Sequence, residues 1–302
     1  MRAIRVDEPD SQVRMDDVPI PVPGPGEALV EVHAAALTAG ERSWPRHWPA
    51  TLSHEMSGTV VQLGEGASGP PVGEHVLGLI NFDLDGAAAD YALAPAADLA
   101  VKPAAIDHVS AASMTLAPLT AWQALVDHGH IQPGQHVLVN GAAGGVGSYT
   151  VQLASALGAR VTATASARDA DFVVGLGAER VLDYAKLPAG LPQREVDIAI
   201  DLVGTGAMKA IWPCLRAGGA MIGIAAEPSA MEAEKHHARG DFFIVAPNGS
   251  ELAALARFAN GGLLRTMASK VFPLDAAADA FDAVDHQHIR GKVVLAVRPE
   301  AA

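Results

Sequence analysis

The sequence predicts an α/β protein of two domains, one mainly β and one with a doubly wound parallel sheet. The chain has 302 residues. Because a domain typically has about 150 residues, this length accommodates two cores. Short β-type runs separated by Gly and Pro fill roughly the first hundred residues, a pattern typical of a β domain. From Ser110 onward strand patterns alternate with helix patterns, which indicates parallel βαβ units.

The β region consists of short alternating or β-branched runs. The strands predicted there are residues 28–35, 58–63 and 75–80. The Pro-rich stretch VPIPVPGPGE at residues 18–27 is either a linker or an extended surface loop. We favour the loop because the stretch lies between two strand patterns.

The second region begins with a helix predicted over residues 110–128. The buried strands predicted after it are residues 136–140, 160–165, 196–203 and 219–225, and the helices between them are residues 145–157 and 172–176. A last helix at residues 251–260 and a last strand at residues 293–297 follow. The sequence contains no internal repeat.

Composition and charge exclude several classes of function. Lys plus Arg number 21 and Asp plus Glu number 34, so the net charge is −13. Such an acidic surface repels phosphate backbones and anionic lipid, so we expect neither nucleic acid nor a membrane as a partner. The single cysteine, Cys214, excludes a disulfide scaffold. The charged N-terminal segment does not resemble a signal peptide, and no apolar run approaches about 18 residues, so we expect a soluble, cytoplasmic protein.

The most informative segment is a glycine-rich turn after the strand predicted at residues 136–140. The turn reads Ala142, Ala143, Gly144, Gly145, Val146, Gly147. This is the dinucleotide-binding pattern with Ala142 in place of its first Gly; Gly144 lets the backbone approach a pyrophosphate, and Gly147 lets the helix pack closely on the strand. The N–H groups and positive dipole end of the helix would face the phosphates. We predict nucleotide binding, with a purely structural turn as the alternative.

The end of the next strand bears on the choice between NAD and NADP. An NAD site usually places Asp or Glu there to bind the ribose 2′-hydroxyl. Here that position is Ala165, followed by Ser166, Ala167 and Arg168, and no acid is present to repel a 2′-phosphate. A hydroxyl and a guanidinium can bind a phosphate, so we predict NADP (NADPH). A solvated cation at a helix start is the alternative interpretation of Arg168.

Motifs along nearly the whole chain share one resemblance. They are PVPGPGEALVEVHAAALTAGE, SHEMSGTVVQLGEG, VGEHVLGL, LAPLTAWQAL, NGAAGGVGS, LGAERVLDY, the DLVG strand end at residues 201–204, and HIRGKVVLAV. Together they resemble the medium-chain dehydrogenase/reductase superfamily, in its zinc-independent quinone oxidoreductase (zeta-crystallin-like) branch. The resemblance implies a GroES-like β domain at residues 1–117 and 247–302, with a Rossmann dinucleotide-binding domain at residues 118–246.

The same alignment of motifs addresses zinc. The catalytic Cys, His and Cys of the zinc alcohol dehydrogenases of this superfamily fall on Thr38, His54 and Leu116. A lone imidazole beside a hydroxyl and an aliphatic group cannot form the three-ligand site that zinc chemistry requires. The Cys-rich structural lobe is also missing from the sequence, so we expect no bound metal.

The lack of zinc ligands in the sequence limits the reactions that the protein is expected to catalyse. Without a metal, alcohol oxidation loses its usual Lewis acid. A quinone or an α,β-unsaturated ketone is electrophilic through conjugation and needs proximity, a dry cleft and hydrogen bonds to the developing oxyanion. The resemblance likewise implies NADPH-dependent reduction of quinones or enones. The alternatives are an enoyl reductase of a biosynthetic (polyketide-type) pathway, a nucleotide-binding crystallin-like protein without turnover, and a zinc alcohol dehydrogenase.

The resemblance also nominates side chains near the nicotinamide. Thr38 replaces a polar residue of the active-site cleft, His54 lies in the neighbouring position as a candidate proton donor, and Thr120 falls beneath the nicotinamide ring. For His54 the alternative is a structural histidine bonded to nearby backbone. The cofactor-binding residues predicted or implied are Ala142, Gly144, Gly145, Val146, Gly147, Ser166, Arg168, Tyr184, Gly204 and Ile224.

Other residues of this region have two interpretations. Trp44 and Trp48 either wall a substrate pocket with flat aromatic surface or simply pack their loop. Glu55 is interpreted as structural, although its place in the cleft motif would let it orient the cofactor. The resemblance further implies a homodimer paired through an apolar strand at residues 242–246 (FFIVA), since a bare apolar edge would otherwise promote aggregation.

Overall fold

The computed structural model describes residues 1–9, 11–44 and 47–298. The chain divides into two compact units, one formed by Met1–Leu119 with Ala246–Ala302 and the other by Thr120–Val245. The first unit is mainly β and the second alternates strands and helices, which confirms the predicted fold class. Within the described ranges, no helix is long and apolar enough to cross a bilayer.

Strands dominate the first part of the first unit. They are β1 (Arg2–Val6), β2 (Arg14–Asp17), β3 (Glu27–Leu37), β4 (Ala50–Thr51), β5 (Glu55–Leu63), β6 (His75–Leu79), β7 (Tyr91–Pro95) and β8 (Leu99–Val101). Helical segments of this part are the 3-10 turns Glu41–Ser43 and Ala96–Asp98, then α1 (His108–Ala112) and α2 (Leu116–Trp122). The strands predicted at residues 28–35 and 58–63 lie within β3 and β5, and the one at residues 75–80 matches β6 except at its last residue.

The second unit continues from α2 through a π-helical segment, Gln123–His128. Its elements are β9 (His136–Asn140), α3 (Gly145–Ala156), β10 (Arg160–Ala165), α4 (Ala170–Val174), β11 (Arg180–Asp183), β12 (Val196–Asp201), α5 (Thr205–Ile211), β13 (Leu215–Gly223), α6 (Ala230–Lys235) and β14 (Arg239–Phe242). Short 3-10 turns lie at Ala167–Asp169, Tyr184–Lys186 and Trp212–Cys214.

The chain then returns to the first unit. The elements of this return are α7 (Gly249–Asn260), β15 (Ala268–Pro273), the 3-10 turn Leu274–Ala276, α8 (Ala277–His286) and β16 (Lys292–Ala296). Strand β16 pairs antiparallel with β3, with Val294 opposite Ala36. The last strand therefore completes a sheet begun by the N-terminal segment.

Two sheets form the β part of the first unit. One has the order β2-β1-β4, and the other has the order β15-β16-β3-β5-β6-β8, with β7 also paired to β3. Their inward-facing side chains form one apolar cluster that includes Val30, Met56 and Leu295, and Phe281 of α8 packs into it. This packing fixes the ends of β3, β5 and β16 relative to one another.

The sheet of the second unit is parallel and has the order β11-β10-β9-β12-β13-β14. From β9 the chain extends the sheet in one direction through β10 and β11, and then β12 starts again on the other side of β9. Ligands of such sheets bind outside the carboxyl ends of the strands at this reversal point. A ligand is therefore expected to bind beside the residues that follow β9 and β12.

The helix predicted over residues 110–128 is interrupted, contrary to expectation. It consists of α1, α2 and the π-helical segment, with Ser113–Thr115 between the first two. Pro118 explains the first break, because a proline ring clashes with the carbonyl four residues earlier, here that of Met114. The Thr115 hydroxyl oxygen lies 3.0 Å from the Ala112 carbonyl oxygen, next to the end of α1.

The apolar strand predicted at residues 242–246 is also wrong, since of these residues only Phe242 lies in a strand. Strand β14 pairs with β13, and Phe242 is opposite Gly223, where β13 ends. Beyond that point no neighbouring strand is left to pair with. Phe243 instead stacks on the His128 ring at a centroid distance of 4.1 Å.

Candidate active site

The glycine turn between β9 and α3 has the geometry that a phosphate cradle requires. A Cβ atom at Gly147 would lie 2.2 Å from the Gly141 carbonyl oxygen and 2.8 Å from the Ala142 Cα, so only glycine fits there. A Cβ atom at Gly144 would meet only the Gly141 oxygen, at 3.6 Å. Protein packing therefore explains Gly147 but leaves the approach to Gly144 open. The first-turn N–H groups of α3, at Gly145 and Val146, are those that a helix leaves without intrahelical partners. This turn fits the pyrophosphate of a dinucleotide.

A buried polar network at the ends of the neighbouring strands fixes this turn. Asn140, at the end of β9, donates to Asp201 Oδ1 at 2.6 Å, and the Thr164 hydroxyl donates to the Asn140 side-chain oxygen. The Gly204 N–H donates to Asp201 Oδ2 at 2.8 Å. Burial raises the pKa of Asp201, although these donors oppose the effect. Asp201 thus connects β9 to the loop after β12.

The end of β10 carries an acid that the sequence interpretation missed. Ala165 ends the strand as expected, but Asp169 lies three residues beyond Ser166 in the 3-10 turn, with its side chain only 1% exposed. The Ser166 hydroxyl donates to Asp169 Oδ2, and the Arg168 Nε lies 3.9 Å from that oxygen. The expectation that no acid lies near this site is therefore wrong, because the turn folds Asp169 back toward Ser166. Arg168 keeps 63% of its side chain exposed.

The remaining residues predicted for the nucleotide follow the other strands of the same sheet. Gly204 follows β12 with a φ of 114°, a backbone conformation that favours glycine. Ile224 follows β13 and donates its N–H to the Asp201 carbonyl at 3.0 Å. Tyr184 follows β11 and is exposed. Since all pairs in this sheet are parallel, these residues share the carboxyl edge with the glycine turn.

In the first unit, Thr38 follows β3 and is fixed by a buried acid. Glu41 accepts the Thr38 N–H at 3.1 Å through one carboxylate oxygen and the Ser53 N–H at 2.6 Å through the other. Ser53 has a positive φ of 65°, which is uncommon for a residue other than glycine. These contacts give Glu41 a structural role.

Thr38 also belongs to a buried cluster that the sequence analysis did not find. Lys292 Nζ lies 2.6 Å from Glu55 Oε1 and 2.8 Å from the Thr38 hydroxyl oxygen, to both of which it donates. The Thr38 hydroxyl donates to Glu55 Oε1 at 2.9 Å, and the Thr115 hydroxyl donates to Glu55 Oε2 at 3.2 Å. The side chains of Glu55 and Lys292 are 1% and 4% exposed. The sequence signal was a lysine at the start of a buried apolar run, KVVLA.

Aromatic rings surround His54. Its ring lies 5.2 Å from Phe82 in an edge-to-face arrangement and 6.5 Å from Trp44, measured between centroids. His54 is buried. Trp48 packs against the core cluster of the first unit, which supports the packing interpretation for this tryptophan. Trp44 and Phe82 are the aromatic residues placed next to His54.

Two further predicted positions are buried in α2. Leu116, at the position of a zinc ligand in the resemblance, begins the helix, and Thr120 lies one turn later in the second unit. Among the residues that the structure describes, no group of three or more His, Cys, Asp or Glu side chains is arranged to hold a metal ion. The absence of zinc stays a prediction.

Comparisons with known proteins agree with this architecture. Residues 24–104 match the alcohol dehydrogenase GroES-like domain, and residues 176–295 match the zinc-binding dehydrogenase domain. A protein of Arthroderma benhamiae named "probable zinc-binding oxidoreductase, mitochondrial" is 31% identical over 98% of this chain and 96% of its own length. The chain belongs to the medium-chain dehydrogenase/reductase superfamily.

Solved structures of this superfamily match the whole chain. The quinone oxidoreductase of Coxiella burnetii is 30% identical, with a TM-score of 0.89 and 99% of each chain covered. A mycobacterial protein solved in complex with NADPH is 27% identical, with a TM-score of 0.85, over 98% of this chain and 100% of its own. The GroES-like and Rossmann folds expected from the sequence are thereby confirmed.

Proposed function

We propose that this protein is a zinc-independent, NADPH-dependent reductase that transfers hydride to a quinone or an α,β-unsaturated carbonyl. The observation that carries the proposal is the glycine turn before α3. Gly147 is required by packing, whereas Gly144 leaves room for a ligand beside the first N–H groups of the helix. The likeness to a quinone oxidoreductase and to an NADPH complex adds support.

The predicted residues would hold the cofactor along the carboxyl edge of the sheet. Gly144, Gly145 and Val146 would offer N–H groups to the pyrophosphate, with Ala142 and Gly147 shaping the turn. Gly204 and Ile224 would border the nicotinamide half and Tyr184 the adenosine half. When bound, the dihydronicotinamide supplies the hydride. The side chains of this protein then have to bind, orient and manage protons.

The preference for NADPH rests on Arg168 and on the absence of an acid at Ala165. A guanidinium binds phosphate oxygens in a bidentate manner, and Arg168 is exposed enough to do so. The Ser166 hydroxyl must turn from Asp169 before it can donate to a 2′-phosphate. We therefore assign the larger part of the preference to Arg168.

On the substrate side, Thr38 and His54 remain the proposed contacts, with Thr120 beneath the nicotinamide. The rings of Trp44 and Phe82 beside His54 suit a flat conjugated acceptor. A zinc-dependent reaction is disfavoured because the chain has Thr38 and Leu116 where two thiolates would be needed. Thr38 offers only a hydroxyl, and Leu116 has no atom that can bind a metal.

The test is a screen of NADPH oxidation by the purified full-length protein against quinones, enones and enoyl thioesters, with NADH in parallel. Turnover with quinones or enones supports the proposal. Turnover confined to enoyl thioesters would support the biosynthetic enoyl reductase instead. Weak NADPH binding without any turnover would support the crystallin-like alternative. A cytoplasmic location and a homodimer stay predictions.

A further inference from the structure

The buried pair Glu55–Lys292 requires an explanation beyond stability. Taking both charges out of water has a high free-energy cost, and a buried ion pair often stabilises no more than an apolar pair of the same size. Here the cost is offset by an unusually complete set of contacts. Glu55 accepts hydrogen bonds from Lys292, Thr38 and Thr115, and Lys292 also donates to Thr38.

The side chains of this cluster differ in their exposure to solvent. Thr115, Glu55 and Lys292 are all buried, and Thr38 is partly exposed. A hydroxyl that accepts a hydrogen bond from an ammonium and carries one hydrogen of its own can pass a proton from one side to the other. Thr38 is therefore the residue through which the buried ammonium can exchange a proton with a bound molecule or with water.

We propose that Lys292 is the proton reservoir of the reaction and that Thr38 relays its proton to the reduced substrate. This inference rests on the proposed function. Lys292 and Glu55 act through Thr38 and are positioning residues, whereas Thr38 touches the substrate. Neither Lys292 nor Glu55 was assigned a proton-transfer role by the sequence or by the resemblance.

The proton balance of the relay is complete. Hydride addition reduces the acceptor, oxidises NADPH to NADP and leaves a negatively charged oxygen on the product. The Thr38 O–H bond breaks as an O–H bond forms on that oxygen, and a Lys292 proton moves to the Thr38 oxygen. Lys292 becomes a neutral amine, and a proton from water restores the ammonium before the next turnover.

The cluster can tolerate the rotation that this step needs. When the Thr38 hydrogen turns from Glu55 toward the substrate, Glu55 Oε1 keeps its bond from Lys292. The oxygen that loses the Thr38 hydrogen therefore still has a donor, so the rotation avoids the cost of an unsatisfied buried acceptor. The Thr115 hydroxyl lies 3.2 Å from Oε2 and shares its single hydrogen between this oxygen and the Ala112 carbonyl, and the rotation does not change that contact.

The first experiment uses no turnover. Proton exchange between the Lys292 ammonium and water is measured by ¹⁵N NMR of the full-length protein, with the signal assigned by its loss in the double variant Glu55→Gln/Lys292→Met. Thr38→Val should slow this exchange, and Thr38→Ser should restore it. Thr59→Val is the matched control, because Thr59 lies on the same strand as Glu55 and its hydroxyl bonds His33 and His75 instead. Exchange that is unchanged in Thr38→Val overturns the relay.

The second experiment compares acceptors whose reduced anions differ in basicity. A general acid contributes about a hundredfold or more when the product anion is basic. Thr38→Val and Glu55→Gln/Lys292→Met should therefore lose about a hundredfold in kcat with methyl-substituted benzoquinones. The loss should be much smaller with chlorine-substituted ones, and KM should change little. Thr38→Ser should recover the rate, and Thr59→Val should keep it.

The outcomes separate the two claims. An equal loss of kcat with every acceptor, or no loss, would show that the cluster is only structural and would leave the proposed function intact. If the unmodified protein reduces none of these quinones and no enone, the proposed function is wrong and the relay falls with it. A loss that grows with the basicity of the product anion supports both.

Discussion

Acidification should destabilise the first unit through one buried histidine. His108 begins α1, its Nδ1 lies 2.8 Å from the Ser57 hydroxyl, and its ring stacks on His33 at 4.2 Å with His75 at 5.1 Å. The pKa of His108 is lowered from 6.5 to about 3, first of all by burial of the ring. The nearby His33, Lys102 and His75 contribute to this lowering, and Asp107 opposes it. The folded protein therefore keeps this ring neutral where an unfolded chain would protonate it.

The sign of the effect follows from proton binding. Between pH 6.5 and about 3 the unfolded state binds one more proton at His108 than the folded state does, so stability falls as pH falls. Full stability is present above 6.5, and the loss reaches its limit near the folded pKa. At about pH 5 the single-site calculation gives a loss of about 2 kcal/mol relative to about pH 7.5.

The assay is urea unfolding of the unmodified protein and of His108→Gln at these two pH values. Other groups titrate in both proteins, so the quantity of interest is the difference between their two pH-dependent changes. We expect the unmodified protein to lose about 2 kcal/mol more than His108→Gln. His286→Gln, an exposed histidine on α8, is the control and should behave as the unmodified protein does. Parallel pH dependence of the unmodified protein and His108→Gln would refute the reasoning.

The remaining predictions concern the site and the assembly. Elemental analysis should find no stoichiometric zinc, and a chelator should leave activity intact; about one zinc per chain would contradict this. Arg168→Ala should weaken NADPH binding by about ten- to a hundredfold in a fluorescence titration and leave NADH nearly unchanged, since one charge-assisted hydrogen bond contributes roughly 1.5–3 kcal/mol. In the same titration Ala165→Asp should shift the preference toward NADH, and equal affinity of the unmodified protein for both cofactors would contradict the assignment. Gly147→Ala should lower the free energy of unfolding by roughly 1–3 kcal/mol, because the added methyl group clashes with the backbone. Gly144→Ala should keep the free energy of unfolding of the unmodified protein and should bind NADPH more weakly. Light scattering should give a dimer, and Phe242→Asp, at the exposed end of the edge strand β14, should dissociate it; a monomeric unmodified protein would contradict a dimer formed through this edge.

Local patterns in the sequence were sufficient for the parallel sheet and the glycine turn. The run at residues 136–140, the turn and the helix after it are adjacent in the chain, and their spacing alone indicates a strand, a turn and a helix. The helix break at Ser113–Thr115 was equally local and could have been found from Pro118, which follows it. By contrast, the end of β14 at Phe242 depends on where β13 ends, and an apolar run cannot show how far its neighbour extends.

The cluster around Lys292 was out of reach for a different reason. Glu55 and Lys292 are separated by 237 positions in the chain. They meet because β5, which begins at Glu55, and β16, which begins at Lys292, pair with opposite edges of β3. No spacing rule connects residues that far apart. The only signal in the sequence was a charged residue at the start of an apolar strand. Its role can be interpreted only when the order of the strands in the sheet is known.

The two acids near the predicted nucleotide site show why counting charges in a sequence can mislead. Asp201 and Asp169 both lie near the carboxyl edge of the sheet, where a carboxylate would be expected to repel phosphate. Asp201 directs its oxygens to Asn140 and the Gly204 N–H, and Asp169 accepts the Ser166 hydroxyl. Both side chains are buried, so their oxygens are used in holding the loops that would contact the cofactor. For cofactor choice, the direction in which a carboxylate faces therefore matters more than its presence.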